Sequence, residues 1–217
     1  MHDVVNNLLL IENLIKAKNK SKKFPEIIAV SKTFPISIIH PLIVHGHVHF
    51  GENKVQETIE KWTDVKSKFN KIKLHMIGRL QTNKVKYAVQ LFDYIHSLDS
   101  LKLAKKISEE QERNKKKLKI FIQLNIGAEE QKSGINIEYL QEFYKTCTED
   151  LNLDIIGLMC LPPKNLDTST YFSKMKNISN NINLKELSMG MSSDYLNAID
   201  YDATFLRIGS KIFGNRD

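Results

Sequence analysis

Cysteine is nearly missing from this chain: Cys147 and Cys160 are the two among 217 residues. That excludes a disulfide framework and fits a reducing cytosol, with both thiols as small core hydrophobes. Five prolines and nine glycines leave no Pro-, Gly- or Ser-rich linker and no low-complexity segment, so residues 1–217 are expected to form one domain. The longest apolar stretch, at 155–161, falls far short of the ~20 residues a membrane span needs. Asp3, Asn6 and Asn7 stand where an export signal would carry basic and then apolar residues, so the chain is expected in the cytoplasm. Acidic residues are in the minority, 25 against 32 cationic ones, for a net charge of +7. The one dense lysine run (Lys115, Lys116, Lys117, Lys119) has no aromatics interleaved, which argues for a solvated helix end and against a single-strand nucleic-acid surface. Arginine is scarce too, confined to Arg79, Arg113, Arg207 and Arg216. In a chain that prefers lysine, some of these positions need a planar, permanently charged guanidinium.

What is present reads as a soluble globular α/β protein, 41% apolar and 26% charged. Val4, Leu8, Ile11 and Ile15 recur at helical spacing behind Asp3, a plausible N-cap, and give an opening amphipathic helix. Eight short apolar runs follow, at 27–30, 48–50, 74–77, 94–96, 120–126, 155–161, 187–189 and 205–208. Helical patterns lie between them at 54–65, 83–91, 101–113, 137–148 and 171–182. Strands alternating with helices imply a parallel sheet, and eight such units close naturally into a single (β/α)8 TIM barrel with an extra N-terminal helix. The rival, an open doubly wound sheet, lacks its Gly-rich first turn: Ala29-Val30-Ser31-Lys32 holds no glycine.

In a barrel of this kind chemistry belongs at the carboxyl ends of the strands. Lys32 follows the buried-looking run at 27–30, so its amine rises into the mouth, where partial desolvation would favour the free base that condenses with an aldehyde. The competing reading is a lysine that snorkels to solvent. Gly190-Met191-Ser192 and Gly209-Ser210 end the last two strands, where such barrels bind phosphate through loop amides and hydroxyls, although each is also an ordinary turn signal.

Val30-Ser31-Lys32-Thr33, Phe50-Gly51-Glu52-Asn53-Lys54-Val55-Gln56-Glu57, His75-Met76-Ile77-Gly78-Arg79-Leu80-Gln81-Thr82-Asn83-Lys84, Lys132-Ser133-Gly134-Ile135, Gly157-Leu158-Met159, Leu187-Ser188-Met189-Gly190-Met191-Ser192 and Arg207-Ile208-Gly209-Ser210-Lys211-Ile212-Phe213-Gly214 run in this order. Together they resemble the pyridoxal phosphate homeostasis proteins. The resemblance implies an alanine-racemase-like barrel standing alone and carrying pyridoxal 5'-phosphate (PLP) as a Schiff base on Lys32. It implies phosphate contacts from Ser192, Gly209 and Ser210, with Ser188 a weaker candidate, Asn53 lining the ring pocket and Arg207 facing the pyridine nitrogen. It further implies a carrier or regulator of intracellular PLP rather than an enzyme, with PLP-dependent apo-enzymes as acceptors. Departures from the family pattern are Ser210 for a common Thr, Arg79 for a common Pro, and an end at Asp217 without the usual Tyr and basic tail. Arg79 either adds a cation near the mouth or faces solvent.

The alternating His45, His47 and His49 could present three imidazoles on an extended segment, but no further ligand completes a metal spacing, and a polar loop is expected. His75 and His96 are expected as hydrogen-bonded barrel histidines, and Trp62, with Val55 and Ile59, as outer-ring packing. Glu52 and Glu57 do not by themselves make an acid/base pair. The expected protein is therefore a monomer that binds neither metal, nucleic acid nor membrane. The principal alternative is a PLP-dependent amino-acid racemase, whose second β domain 217 residues do not accommodate. A more distant one is a nucleic-acid or membrane-surface binder exploiting the net charge.

Overall fold

The computed structural model describes residues 2–19, 23–127, 133–163 and 166–214. Lys132, Arg216 and Asp217 lie outside the described residues. Eight parallel strands close into a barrel in chain order: β1 (Glu26–Val30), β2 (His49–Glu52), β3 (Lys73–Met76), β4 (Tyr94–Leu98), β5 (Lys119–Leu124), β6 (Asp154–Cys160), β7 (Glu186–Met191) and β8 (Phe205–Ile208). β8 pairs back to β1, with Arg207 opposite Ile28 and Ile208 opposite Ala29. Each apolar run expected to be a strand is one. β2, β4 and β7 run two residues past their expected carboxyl ends, and β5 stops two residues short.

Alternation along the strands sorts two cores. Ile27 and Ala29 join the large shell between sheet and helices, whereas Ile28 lies in a separate interior cluster with Tyr94, Phe121, Met159 and Phe205. Burial on both faces is why the strands read as continuous apolar runs rather than as alternating ones.

The shell consists of α1 (Asp3–Lys18), α2 (Ile36–His45), α3 (Val55–Lys68), α4 (Val85–Leu91), α5 (Leu101–Asn114), α6 (Leu140–Lys145), α7 (Thr168–Asn181), α8 (Tyr195–Ile199) and α9 (Ser210–Phe213). Because α9 is a single turn, the outer ring would be open beside β8; α1 fills that gap, packing on α2, α8 and α9. It buries Val5, Leu8, Ile11 and Ile15, each contributing ~1.5–3 kcal/mol, and Asn7 Nδ2 donates to the Ile212 carbonyl at 3.0 Å. Val5 is buried in that core, and Val4 packs partly buried against it. Asp3 is the first helical residue and not the N-cap, which is His2; its carboxylate still sits at the positive end of the helix.

Three local expectations are corrected. Helix α2 gave no periodic signal, because Ile36, Ile38, Ile39, Leu42, Ile43 and Val44 surround its axis and Pro41 interrupts it. His45 therefore ends a helix, Gly46 turns the chain at φ 97°, and the three histidines never share an extended segment. The expected helix at 137–148 is a 3-10 turn, α6 and a π turn in succession, with Thr148 Oγ1 donating back to the Tyr144 carbonyl. The lysine run is not simply a solvated helix end: Lys116 Nζ donates to the Gln90 and Phe92 carbonyls, and Lys117 Nζ to Asn152 Oδ1. Among the described residues no helix is long and apolar enough to cross a membrane. Cys147 and Cys160 are free and buried, and burial pushes both thiols up to about 12.

Candidate functional site

The turn that carries Lys32 is tightly determined. Ser31 extends the β1–β2 ladder by donating to the Gly51 carbonyl, Phe34 N–H closes back on the Ser31 carbonyl at 3.2 Å, and Thr33 adopts a left-handed φ of 70°. Below the turn lies Glu52, wholly buried at the end of β2. Its Oε1 accepts from Ser31 Oγ at 2.7 Å and from Trp62 Nε1 at 2.9 Å, and pairs with Lys61 Nζ at 2.8 Å. Lys61 Nζ also donates to the carbonyls of Ser31 and Phe34, one on each side of Lys32. Lys32 itself is half-buried.

Across the β8–β1 seam, Gly209 lies against Val30: a β-carbon at Gly209 would stand 3.4 Å from the Val30 carbonyl oxygen. Ser192 Oγ accepts from the Gly209 amide at 3.1 Å and the Lys211 amide at 3.5 Å, and Ser210 opens α9 exposed to solvent. Ser192, Gly209 and Ser210 thus gather at one rim, beside the strand that leads into Lys32. Gly190 is required here by its φ of 87°, and any side chain would press on Ala198 at 2.7 Å.

Arg207 sits lower on β8 and is 5% exposed. Its Nη1 donates to the Ser188 carbonyl and hydroxyl, both at 2.6 Å, and its Nη2 to the Cys160 carbonyl at 2.8 Å. Burial draws its pKa down, with Asp194 partly opposing. Among the described residues it forms no ion pair, and three of its five N–H groups are engaged. Ser188 departs from expectation. It is fully buried, and its hydroxyl engages Arg207 and His96 instead of joining Ser192 at the rim.

Asn53, half-buried after β2, faces a polar cleft of about 780 Å³ that it shares with Arg79, Asp99 and Lys102. Gly78 makes this possible, since a β-carbon there would lie 2.4 Å from the Asn53 carbonyl oxygen. Arg79 is exposed and lines that cleft; burial pushes the Asp99 carboxyl up, and the Arg79 charge opposes it. Sequence reasoning missed the clamp of Glu52 and Lys61. Lys61 is one lysine among many, and only its place one helical turn from Glu57 and next to Trp62 could have marked it.

These elements define a barrel of the alanine racemase N-terminal-domain class, and residues 7–217 match that family's sequence model. Within the class, the chain belongs to the pyridoxal phosphate homeostasis proteins. It is 35% identical over 215 residues to the pyridoxal phosphate homeostasis protein of Aquifex aeolicus (strain VF5), covering 95% of this chain and 93% of that one. The solved structure of PipY from Synechococcus elongatus PCC7942, with PLP bound, superposes with a TM-score of 0.87 at 29% identity, covering 97% of this chain and all of that one. An alanine racemase of Clostridium difficile 630 shares the fold at a TM-score of 0.77 and 16% identity; the match spans 99% of this chain but 57% of the racemase.

Proposed function

We propose that this chain binds PLP reversibly and covalently through Lys32 and serves, as a single cytoplasmic domain and a monomer, to hold and release the cofactor for PLP-dependent apo-enzymes. The observation that carries this reading is the placement of a half-buried lysine next to a rim of amide and hydroxyl donors, Ser192, Gly209 and Ser210, above a buried arginine with donors to spare. The residues fit the group. A phosphate suits the rim, a ring nitrogen suits the free N–H groups of Arg207, and a primary amine stands within the same mouth.

When bound, PLP supplies an aldehyde that condenses with a primary amine and a pyridine ring that accepts electron density. Lys32 is the amine, held in its turn by Glu52 and Lys61. Ser192, Gly209 and Ser210 hold the phosphate, and Asn53 flanks the ring. Arg207 donates to the ring nitrogen without giving up its proton, which keeps that nitrogen neutral and the ring a weak electron sink. Storage is favoured over racemisation for that reason. The test is the visible absorption spectrum of the PLP-loaded protein before and after borohydride, followed by peptide mapping. Pyridoxyl is expected on Lys32 and absent from Lys32→Ala. An adduct mainly on another lysine overturns the assignment.

A further inference from the structure

Six side chains form one unbroken line through the barrel interior: Arg207, Ser188, His96, His75, His49 and Glu26. Arg207 Nη1 lies 2.6 Å from Ser188 Oγ, which lies 2.8 Å from His96 Nδ1. His96 Nε2 is 2.9 Å from His75 Nδ1, His75 Nε2 is 2.9 Å from His49 Nδ1, and His49 Nε2 is 3.2 Å from Glu26 Oε2 at the amino-terminal end of β1. Each histidine stands on the next strand round the barrel, from β2 to β4. The line then crosses to β7 and β8 beneath the proposed cofactor site.

Donor counting gives the line a single direction. A guanidinium can only donate, so the Ser188 oxygen accepts from Arg207. The one hydroxyl proton of Ser188, fully buried and with no other acceptor among the described residues, then points to His96 Nδ1, since a hydroxyl accepting from both neighbours would leave that proton unpaired. Burial holds His75 and His96 well below the usual histidine range, so each is neutral, with one donor and one acceptor. His96 therefore carries its proton on Nε2 and donates to His75, which does the same to His49, which donates to Glu26. The hydrogen bond from His49 in turn holds the Glu26 carboxyl below its ordinary value. Aromatic rings keep water out: Tyr94 stacks on His75 at 4.2 Å, Phe121 stacks on His96 at 4.3 Å, and Phe205 lies at 5.9 to 6.3 Å from all three imidazoles. The line polarises but does not conduct, because the donor at its upper end among the described residues is a guanidinium.

We propose that Ser188, His96, His75, His49 and Glu26 are positioning residues for Arg207, a one-way relay through which a carboxylate at the far mouth of the barrel fixes the guanidinium beneath the cofactor. This rests on the cofactor reading above for its purpose, but not for its existence. If the acceptor at the foot is lost, His49 no longer needs an Nε2 proton, each imidazole above it is free to reverse, and the Ser188 hydroxyl is no longer turned away from Arg207.

The experiment uses the full chain, labelled with 15N and free of cofactor. Long-range proton–nitrogen correlations are expected to show His49, His75 and His96 all as Nε2–H tautomers; an Nδ1–H form at any of the three overturns the relay in the wild-type protein, with no mutation to confuse folding. Glu26 is half-exposed at the barrel floor. Glu26→Ala is expected to shift the ring resonances of His96 and the guanidinium resonances of Arg207, and Glu26→Gln, whose amide oxygen still accepts from His49, to restore them. Silence at Arg207 in Glu26→Ala overturns the coupling. In the PLP-loaded protein Glu26→Ala should speed cofactor loss by about two- to thirty-fold, again with rescue by Glu26→Gln; a rate unchanged from wild type counts against the positioning role. Failure of the wild-type chain to retain PLP would overturn the cofactor reading and leave the resonance results standing.

Discussion

Lys61 Nζ on α3 lies 2.8 Å from Glu52 Oε1 at the end of β2, and the same ammonium reaches the Ser31 carbonyl at 2.9 Å. Glu52 is fully buried and Lys61 nearly so, and the second carboxylate oxygen of Glu52 has no hydrogen-bond partner among the described residues. The pair therefore holds the turn around Lys32 while carrying the desolvation cost of a buried charge. Removing the cation alone should be severe: Lys61→Met is expected to lower unfolding stability by about 3–5 kcal/mol, because it strands the carboxylate. Glu52→Gln combined with Lys61→Met should recover much of that loss, since a neutral amide still accepts from Ser31 and Trp62. Urea unfolding of the single and double variants checks this. A loss below about 1 kcal/mol in Lys61→Met would mean the pair is solvated in practice.

Phosphate recognition gives a second prediction. Ser192, Gly209 and Ser210 are argued to bind a dianion, and each charge-assisted hydrogen bond contributes ~1.5–3 kcal/mol. PLP should therefore bind at least a hundredfold more tightly than pyridoxal by equilibrium dialysis, on the order of what two such bonds supply. Ser192→Ala with Ser210→Ala should remove most of that preference while borohydride still traps pyridoxyl on Lys32. Equal affinity for the two aldehydes in the wild type would move the phosphate site elsewhere.

Much of this was legible in the sequence, for identifiable reasons. The eight strands could be read because burial on both faces leaves unbroken apolar runs such as 27–30 and 205–208. The positions of Lys32, Ser192 and Gly209 just past the carboxyl ends of β1, β7 and β8 could be read because those runs mark the strand ends. Helix α2 could not, because it is apolar around its whole circumference and contains Pro41. Nor could the role of Ser188. A one-residue alternation decides whether a β7 side chain reaches the rim or the interior, and the two extra residues of β7 bury it beside Arg207. The histidine relay was out of reach for a third reason. It joins residues as far apart as Glu26 and Arg207, and only barrel closure brings them onto one line.

His47, His75 and His96 also predict an acid limit. Burial pushes His47 down to about 4 and holds His75 and His96 well below 6.5. Once unfolded, all three titrate near 6.5, so below that pH the unfolded chain binds more protons than the native one and stability falls as pH falls. The slope approaches about 1.4 kcal/mol per pH unit for each histidine, and for His47 it persists to about pH 4. Urea midpoints should be flat between about pH 7 and 8.5 and drop steeply from about 6.5 to 5. Equal midpoints at pH 7.5 and 5 would show that these imidazoles are charged or solvated in the native state.

The last prediction separates a carrier from a racemase. Racemisation requires a proton to leave one face of the amino-acid Cα and another to arrive on the opposite face, with the intervening negative charge drawn into the ring. Of the proposed site residues, Lys32 alone carries a side-chain amine that can serve as a base; Asn53, Ser192 and Ser210 offer none, and Arg207 stays charged. Arg207 is also held by two carbonyls and a hydroxyl, with no ion pair among the described residues, so nothing draws its proton toward a ring nitrogen. A neutral ring nitrogen stabilises Cα charge poorly. The PLP-loaded chain incubated with single L-amino acids in D₂O should therefore show Cα–H exchange far below the ~10 s⁻¹ typical of enzyme turnover, with the L enantiomer retained. Exchange with racemisation at enzyme rates, abolished by Lys32→Ala, would make this barrel a catalyst. Arg207→Glu supplies the opposite control: a carboxylate at that position favours protonation of the ring nitrogen, and wherever the variant still folds and binds PLP, exchange should rise above wild type.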